Sequence, residues 1–407
     1  MIYLYNIIVY LSSIFIFFGS FFSKKLNKIH TGRKKIKKYF KIKNITNDKK
    51  IWIHVSSVGE FEQAKSIIYQ FKNKLNFKIF VTFFSPSAEK VIKKFKLVDY
   101  TCYLSEDSKD EISYLYKKIN PKILLIIKYE FWYHLINEGN KMNVPIVSIS
   151  SIFRKNQIYF TWLTFFSKIL KKINYYYVQN KESKLLLKSI GIKNVKIVGD
   201  TRFDRVYNIY KESKNHTKIE KFVEKNNTVI IGSSWKSDIE ILKNGILKNN
   251  KLKFIIAPHN INKDEIIFIE NTFPNKTIRY SNLDLNKYYD KNILIIDNIG
   301  MLSSLYRYGN IAYIGGGFEG TLHNTLEAAI WDLPILYGKH KNNKKFNEIN
   351  NMEKLKISFP INSSNEYEKK INELLINNKN NFGTKEYVLN NIGATKLIYK
   401  SLIKLLK

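Results

Sequence analysis

Two acidic residues stand where predicted strands end, and each has the chemistry to exchange a proton with a substrate. Glu60 closes residues 52–60, in which the small residues Ser57 and Gly59 permit a tight turn before a helix. Glu130 follows a predicted strand over residues 122–127 and has aromatic neighbours. A carboxylate at such a position can act as a general base toward a hydroxyl nucleophile. The alternative for both acids is structural, because an acid at a helix N-terminus interacts favourably with the helix dipole. That position also lowers the pKa, so Glu60 can serve as a base only if burial offsets the effect.

A second candidate site is the glycine-rich stretch over residues 315–327, which follows a predicted strand and precedes a predicted helix. Gly315 and Gly316 would let the backbone approach an anion, and the first turn of the helix would attract phosphate. Glu327 lies three residues after Asn324, hence on the same helix face, where its carboxylate can accept hydrogen bonds from ribose hydroxyls. The stretch is neither a Walker loop nor a dinucleotide fingerprint. An ordinary loop with a helix N-cap is the alternative.

Other kinds of chemistry have no recognisable pattern. His54, His259 and His323 do not show a metal-ligand spacing. The single cysteine, Cys102, excludes an internal disulfide and a cysteine-based metal site. Ser56 and Ser57 lack the sequence context of a nucleophile elbow.

These residues belong to a long, basic chain that has enough hydrophobic residues for a sizeable core. It has 407 residues, of which 44% are hydrophobic, and a formal net charge of +34. That length predicts two or three domains of roughly 150 residues. The charge indicates anionic partners, such as nucleic acid, acidic lipid or a phosphorylated substrate. Lysine, asparagine and isoleucine are frequent in every segment, so part of the charge reflects a chain-wide composition.

The N-terminal segment predicts a membrane anchor over residues 1–23, which carry no charged side chain. A bilayer core needs about 20 apolar residues as helix. Between residues 24 and 50 there are 12 Lys or Arg and one acid. By the positive-inside tendency, the bulk of the protein is expected on the cytoplasmic face. A buried N-terminal helix is the alternative.

After residue 50, short apolar runs alternate with amphipathic segments, which predicts parallel strands joined by right-handed helical crossovers. A polar stretch near residues 205–217 separates two such series. We therefore expect an α/β domain over residues 24–208 and a second over residues 209–407. The strands are expected at 51–55, 77–82, 100–103, 122–127, 145–148, 175–178 and 195–198, then at 229–231, 253–256, 293–296, 311–314 and 334–336.

Taken together and in order, these motifs resemble the 3-deoxy-D-manno-octulosonic acid (Kdo) transferases of lipopolysaccharide assembly. The resemblance covers almost the whole chain. It rests on residues 52–60, Glu130-Phe131-Trp132 and residues 199–204, 232–235 and 322–329.

The resemblance implies a glycosyltransferase of the GT-B type, with two doubly wound Rossmann-like domains facing a cleft. It implies transfer of Kdo from CMP-Kdo to the phosphorylated lipid A precursor, lipid IVA, at the cytoplasmic face of an inner membrane containing acidic lipids. Neither a metal nor nucleic acid is implied.

Site residues also follow from the resemblance. Glu60 would be the general base in an inverting reaction, with Ser57, Gly59 and Glu130 at the acceptor site. The CMP moiety would contact Pro258, His259, Ile299, Gly300, Met301, Gly315, Gly316, Asn324, Thr325, Leu326 and Glu327. Members of the family often have arginine where His259 stands.

Two other functions remain open from the sequence. One is a GT-B enzyme that uses a nucleotide-diphosphate sugar on a lipid acceptor, and a panel of sugar nucleotides would distinguish it. The other is a membrane-tethered basic protein that binds nucleic acid, for which steeply salt-dependent DNA binding would be the evidence.

Overall fold

A computed structural model describes residues 1–43, 45, 48–75, 77–284, 290–376 and 381–406. These residues form two compact units. Unit 1 comprises residues 1–205 and 392–407, and unit 2 comprises residues 206–391.

Unit 1 is built on a parallel sheet whose central strands are almost fully buried, as a sheet covered on both faces requires. The strand order is β3-β2-β1-β4-β5-β6-β7. The strands are β1 (Lys50–Val55), β2 (Lys78–Phe83), β3 (Tyr100–Tyr103), β4 (Pro121–Ile127), β5 (Ile146–Ser151), β6 (Tyr175–Val178) and β7 (Val195–Ile197).

The helices before, between and directly after these strands include the uncharged N-terminal segment. They are α1 (Ile2–Gly19), α2 (Lys24–Lys34), α3 (Ile36–Ile42), α4 (Val58–Lys74), α5 (Pro86–Lys94), α6 (Lys109–Ile119), α7 (Tyr133–Lys141), α8 (Thr164–Leu170), α9 (Lys181–Ser189) and α10 (Thr201–Glu212). Among the described residues, α1 alone is long and apolar enough to cross a membrane, by length and composition.

Unit 2 repeats the architecture with the strand order β10-β11-β9-β8-β12-β13-β14, again all parallel. Its strands are β8 (Thr228–Ser234), β9 (Lys253–Pro258), β10 (Thr277–Arg279), β11 (Ile293–Ile295), β12 (Ile311–Ile314), β13 (Ile335–Gly338) and β14 (Ser358–Ile361). The remaining helices are α11 (Thr217–Val223), α12 (Lys236–Lys248), α13 (Lys263–Thr272), α14 (Leu302–Leu305), α15 (Leu326–Ala329), α16 (Asn347–Lys354), α17 (Ser364–Ile376), α18 (Thr384–Leu389) and α19 (Ala394–Leu406).

The predicted fold class, two doubly wound α/β sheets behind an N-terminal apolar helix, is confirmed. One boundary needs correction, because the second domain does not extend to residue 407. Helix α19 belongs to unit 1, where Ile398, Tyr399 and Leu402 join the core and the Tyr399 ring lies 5.3 Å from that of Phe71 on α4. The apolar face of α19 is buried in unit 1. Local sequence patterns do not indicate that the chain comes back to its first domain after completing the second.

Candidate functional site

Glu60 lies in the first turn of α4, directly after the carboxyl end of β1. Ser57 is the N-cap of α4, and its hydroxyl accepts a 3.4 Å hydrogen bond from the Glu60 backbone N–H. The Glu60 carboxylate reaches back to accept hydrogen bonds from the Ser56 backbone N–H at 2.5 Å and the Ser56 hydroxyl at 2.8 Å. This reciprocal capping holds the carboxylate at the edge of the sheet where the strands end.

The environment of Glu60 favours proton uptake despite the helix N-terminus. The side chain is buried, with 5% of the residue exposed. Burial raises the pKa of the Glu60 carboxyl above its ordinary value, although the hydrogen bonds from Ser56 and the charge of Lys128 oppose this. Desolvation therefore outweighs the contacts that stabilise the ionised carboxylate. This is the offset by burial that Glu60 needs in order to act as a base at a helix N-terminus.

Glu130 follows β4, the strand adjacent to β1, so both acids stand at the same edge of the sheet. Its carboxylate accepts a 3.0 Å hydrogen bond from the indole N–H of Trp132. Burial and the charge of Glu60 raise the pKa of Glu130 to about 7. The structure thus brings together two carboxyls whose pKa values are both raised by burial, with the charge of Glu60 acting on Glu130.

Gly59 leaves open space beside Glu60. A Cβ placed on this exposed glycine would meet no atom within 4 Å. Packing therefore does not require glycine at this position. Helix propensity does not favour glycine either, because alanine is the better helix former.

The motif over residues 199–204 fixes the helix that carries Glu60. The buried Asp200 carboxylate accepts hydrogen bonds from the Gln63 side chain on α4 at 3.0 Å and from the Arg202 guanidinium at 2.9 Å. Although burial opposes it, Arg202 holds the pKa of Asp200 below its usual range. Thr201 adds a 2.8 Å hydrogen bond to the Gln63 carbonyl. These residues position α4, and their role in unit 1 is structural support of the site.

In unit 2, three aromatic side chains from different loops meet at the carboxyl edge of the sheet. The His259 ring, after β9, lies 4.8 Å from the Trp235 ring, after β8, with 8° between the planes, and 4.5 Å from the His323 ring, after β12. The Trp235 indole N–H donates to His323 Nε2 over 2.9 Å. Burial and the charge of His259 lower the pKa of His323 to about 4, and burial lowers the pKa of His259. Both histidines are therefore neutral at pH 7 in the free protein.

The three consecutive glycines are needed for packing. A Cβ on Gly315 would overlap the backbone of Ser233 and Ser234, and one on Gly317 would overlap the backbone of Gly338. Gly316 has a φ of +79°, in the left-handed region that favours glycine.

Asp238 organises this glycine turn from α12. Its carboxylate accepts hydrogen bonds from the backbone N–H of Gly316 at 2.9 Å, the backbone N–H of Trp235 at 2.8 Å and the hydroxyl of Tyr313 at 2.6 Å. The Gly316 N–H is thus committed to Asp238. A phosphate contact from this turn would have to come from other amides.

Asn324 and Glu327 lie side by side as predicted from their spacing, with a 3.0 Å hydrogen bond from the Asn324 amide to the Glu327 carboxylate. The two residues were expected on one helix face, but α15 begins only at Leu326, so Asn324 precedes the helix. Thr325 and Leu326 are buried in this turn. The Asn324 side-chain oxygen also accepts a hydrogen bond from the Leu326 N–H at 3.2 Å, which fixes the start of the turn.

The loop containing Ile299, Gly300 and Met301 follows β11, and the chain then returns to the centre of the sheet. Burial and the charge of Glu327 raise the pKa of Tyr306, so this tyrosine lies in the neighbourhood of the carboxylate. Ile299 itself is 86% exposed.

A cavity of about 790 Å³ adjoins the glycine turn on the side of β13. Asn343, in its wall, donates hydrogen bonds to the Gly317 and Gly338 carbonyls. Its charged lining residues are Lys339, Lys341, Lys344, Lys354 and Glu353. The nucleotide-binding residues expected from the sequence do not line this cavity.

Comparison with known proteins finds a family model that resembles unit 1. Residues 30–205 match the family model described as 3-deoxy-D-manno-octulosonic-acid transferase (kdotransferase). Over these residues the chain is similar to the Kdo transferase family.

Curated relatives extend the similarity into unit 2. A bifunctional glycosyltransferase/methyltransferase of Fusobacterium nucleatum is 28% identical over 83% of this chain and 54% of its own length. The 3-deoxy-D-manno-octulosonic acid transferase of Aquifex aeolicus is 27% identical over 84% of this chain and 90% of its length. The chain therefore spans about half of the Fusobacterium relative and most of the Aquifex Kdo transferase.

Solved structures share the fold. A UDP-GlcNAc 2-epimerase of Neisseria meningitidis superposes with a TM-score of 0.59 at 16% identity, covering 87% of this chain and all of the epimerase. An epimerase of Methanocaldococcus jannaschii gives 0.55 at 14% identity, over 84% of this chain and 98% of the epimerase. At these identities the likeness shows the GT-B type of architecture alone.

Two residues important to this geometry escaped the sequence analysis. Asp238 lies three residues after Trp235 at a helix start, a spacing typical of a capping acid, and it supports the glycine turn. Lys128, with a φ of +63°, ends β4 and acts electrostatically on Glu60. Only the spacing of Asp238 was a usable signal.

Proposed function

We propose that this protein is an inverting glycosyltransferase that moves Kdo from CMP-Kdo to the phosphorylated lipid A precursor, lipid IVA, in lipopolysaccharide synthesis. Similarity to the Kdo transferase family model and to curated Kdo transferases supports glycosyl transfer of Kdo. The observation that carries the mechanism is the buried Glu60 carboxylate at the strand edge, held by Ser56 and with a pKa raised by burial.

In this proposal the acceptor hydroxyl attacks the anomeric carbon of Kdo while the bond from that carbon to the CMP phosphate breaks. Glu60 receives the hydroxyl proton, and CMP leaves with the bonding electron pair. Such a base typically contributes 10²- to 10⁴-fold to the rate. Ser57, Gly59 and Glu130 would line the acceptor side, and the open space at Gly59 leaves room for a sugar next to the base.

Unit 2 would hold the donor. Glu327 would accept hydrogen bonds from the ribose hydroxyls, with Asn324 fixing its orientation. His259 is neutral in the free protein, so it would meet the CMP phosphate as a hydrogen-bond donor unless the phosphate itself raises its pKa. Pro258, Met301, Gly315 and their neighbours would shape the nucleotide pocket. The proposal includes no metal.

The protein would work at the cytoplasmic face of the inner membrane, attached through α1. The 12 basic residues between positions 24 and 50 would attract it to acidic lipids, where the phosphorylated acceptor resides.

The test is Glu60→Gln, assayed with CMP-Kdo and lipid IVA by mass spectrometry of the lipid. Glutamine keeps an oxygen that can accept the Ser56 hydrogen bond but cannot take a proton. We expect transfer to fall about 10²- to 10⁴-fold with CMP affinity unchanged. Glu62→Gln is the matched control, because Glu62 lies on the same helix and pairs with Lys65. Transfer by Glu60→Gln within a few-fold of wild type would remove Glu60 from the mechanism.

A second test separates donor binding from chemistry. Glu327→Ala should chiefly weaken CMP binding, measured by calorimetry, because the ribose hydroxyls lose their acceptor. Unchanged CMP affinity would contradict the assignment of Glu327 to the ribose.

A further inference from the structure

One face of α1 is covered by unit 1 along the whole helix. The sheltered positions include 2, 5, 9, 13, 16 and 20, at spacings of three and four residues that define a single face of a helix. Near the start, the Tyr5 hydroxyl donates a 2.6 Å hydrogen bond to Asp107. Near the end, Ile16 belongs to the core of unit 1 and Gly19 lies against Leu26 of α2. The helix therefore lies lengthwise on the folded unit.

The contacts beneath α1 are polar and charged. Asp107 is buried and also accepts hydrogen bonds from the backbone N–H groups of His134 and Leu135, at the N-terminus of α7. Asn6 on α1 pairs with the His134 ring at 2.8 Å. If α1 crossed a bilayer, these contacts would break or would carry a carboxylate into hydrocarbon.

A cavity of about 330 Å³ beside α1 also has charged side chains in its wall. It is lined by Ser13, Arg33, Lys34, Lys37, Glu106 and Glu111, among others. The Arg33 Nε donates to the Leu104 carbonyl at 3.2 Å, which ties α2 to the body of unit 1. Ionised groups therefore accompany the covered face of α1 at its C-terminal half as well as at its start.

The opposite face of α1 is apolar and exposed. Leu4, Leu11 and Phe18 succeed one another at intervals of seven residues and are 52%, 55% and 60% exposed. Phe21 and Phe22 continue the surface, and Phe22 is 93% exposed. A continuous apolar face of this kind marks an interaction surface. The basic stretch over residues 24–50 follows it directly, which supplies charge complementary to acidic lipid headgroups.

A second exposed segment with an aromatic side chain adjoins the N-terminal end of α1. Trp162 is 85% exposed and Ile158 is 41% exposed. On α8, which follows directly, the Phe165 ring lies 5.9 Å from the ring of Tyr5 and 5.4 Å from that of Tyr133. These ring contacts place the segment beside the start of α1. Tryptophan is favoured at the boundary between lipid and water, where its ring is apolar and its N–H is hydrated.

We propose that α1 lies flat in the surface of an acidic bilayer, with Trp162 as a second point of insertion, and does not cross the membrane. The lipid occupies the face that carries Leu4, Leu11 and Phe18, while the covered face keeps its bonds to unit 1. This mode of attachment is independent of the transferase chemistry, so either proposal can fail alone.

The test measures depth in the bilayer at three positions on one helix face. Leu4→Cys, Leu11→Cys and Phe18→Cys would each carry a spin label, in the full chain bound to vesicles of phosphatidylethanolamine and phosphatidylglycerol. A flat helix predicts equal depths at all three positions. A spanning helix would place the label at position 11 deeper by roughly 10 Å, since seven residues of helix rise about 10 Å. The wild-type chain, whose single Cys102 is buried, gives the background labelling.

The second measurement uses Trp162 itself. Brominated lipids should quench a component of tryptophan fluorescence that is lost in Trp162→Phe, because the other four tryptophans are buried or half-buried. Absence of that component would remove the second contact, and a deeper label at position 11 would overturn the flat orientation. If the three labels are shielded from lipid and the chain sediments as a dimer, a second copy covers α1 and the proposal is wrong.

Discussion

Replacing Glu130 by glutamine should make the stability of unit 1 less dependent on pH. In the folded protein, burial and the charge of Glu60 raise the pKa of Glu130 to about 7, from an ordinary value of 4.5. Each tenfold change in proton affinity corresponds to about 1.4 kcal/mol, so the full shift is on the order of 3 kcal/mol. Because the side chain is partly exposed, solvent screening reduces this, and we expect about 1–3 kcal/mol.

The sign follows from which state binds the proton more tightly. Below the ordinary pKa, Glu130 is protonated in both the folded and the unfolded state, and its raised pKa does not lower the free energy of unfolding. As the pH rises toward 7, the unfolded chain ionises first, so the wild-type free energy of unfolding falls. Above pH 7 the full cost is present. Glu130→Gln removes the cost, so its stability relative to wild type should increase from pH 4.5 to pH 8.

Hydrogen exchange of the β1 and β4 amides, corrected for intrinsic exchange rates, measures the stability of unit 1 alone. Glu60→Gln provides a linked control, because loss of its charge should lower the pKa of Glu130 and shrink the effect. A constant difference between Glu130→Gln and wild type across this pH range would refute the reasoning, since the pKa of Glu130 would then not be raised in the folded protein.

Three further results are expected. Asp238→Ala should lower the free energy of unfolding by about 3 kcal/mol or more in thermal or urea denaturation, because three donors, two of them in buried hydrogen bonds, lose their acceptor. A loss under about 1 kcal/mol would contradict this. Trp235→Phe should raise the pKa of His323 from about 4, since the indole N–H stabilises its neutral form; an unchanged NMR titration would count against that tautomer. Addition of EDTA should leave Kdo transfer unchanged, and loss of activity restored by a divalent cation would contradict the metal-free proposal.

The sequence predicts the strands of unit 1, including its two edges, and the central strands of unit 2, but neither edge strand of unit 2. The buried strands are continuous apolar runs, which explains why their positions agree with the expected ones. The sequence pattern does not predict β10 and β14, which are the two edge strands of unit 2. Thr277–Arg279 is only three residues long, and Pro360 interrupts the pattern of the other, as edge strands tolerate.

In the candidate site too, features that depend on neighbouring residues were predicted from the sequence, and features that depend on strand order were not. Sequence spacing alone predicted Glu60 at a helix start and Asn324 close to Glu327, because both relations are local, although Asn324 precedes the helix that carries Glu327. The meeting of Trp235, His259 and His323 depends on strand order, which no local pattern contains. The raised pKa of Glu130 depends on β4 pairing with β1, which brings it near Glu60.

The return of α19 to unit 1 affects how the protein is made. Tyr399 and Leu402 complete the hydrophobic core behind α4, yet the ribosome synthesises them after all of unit 2. Part of the hydrophobic core of unit 1 therefore stays exposed during synthesis, and folding of this unit is completed only when translation is nearly finished. A premature stop shortly before residue 392 would remove no residue of the proposed site and would still loosen the helix that carries its base.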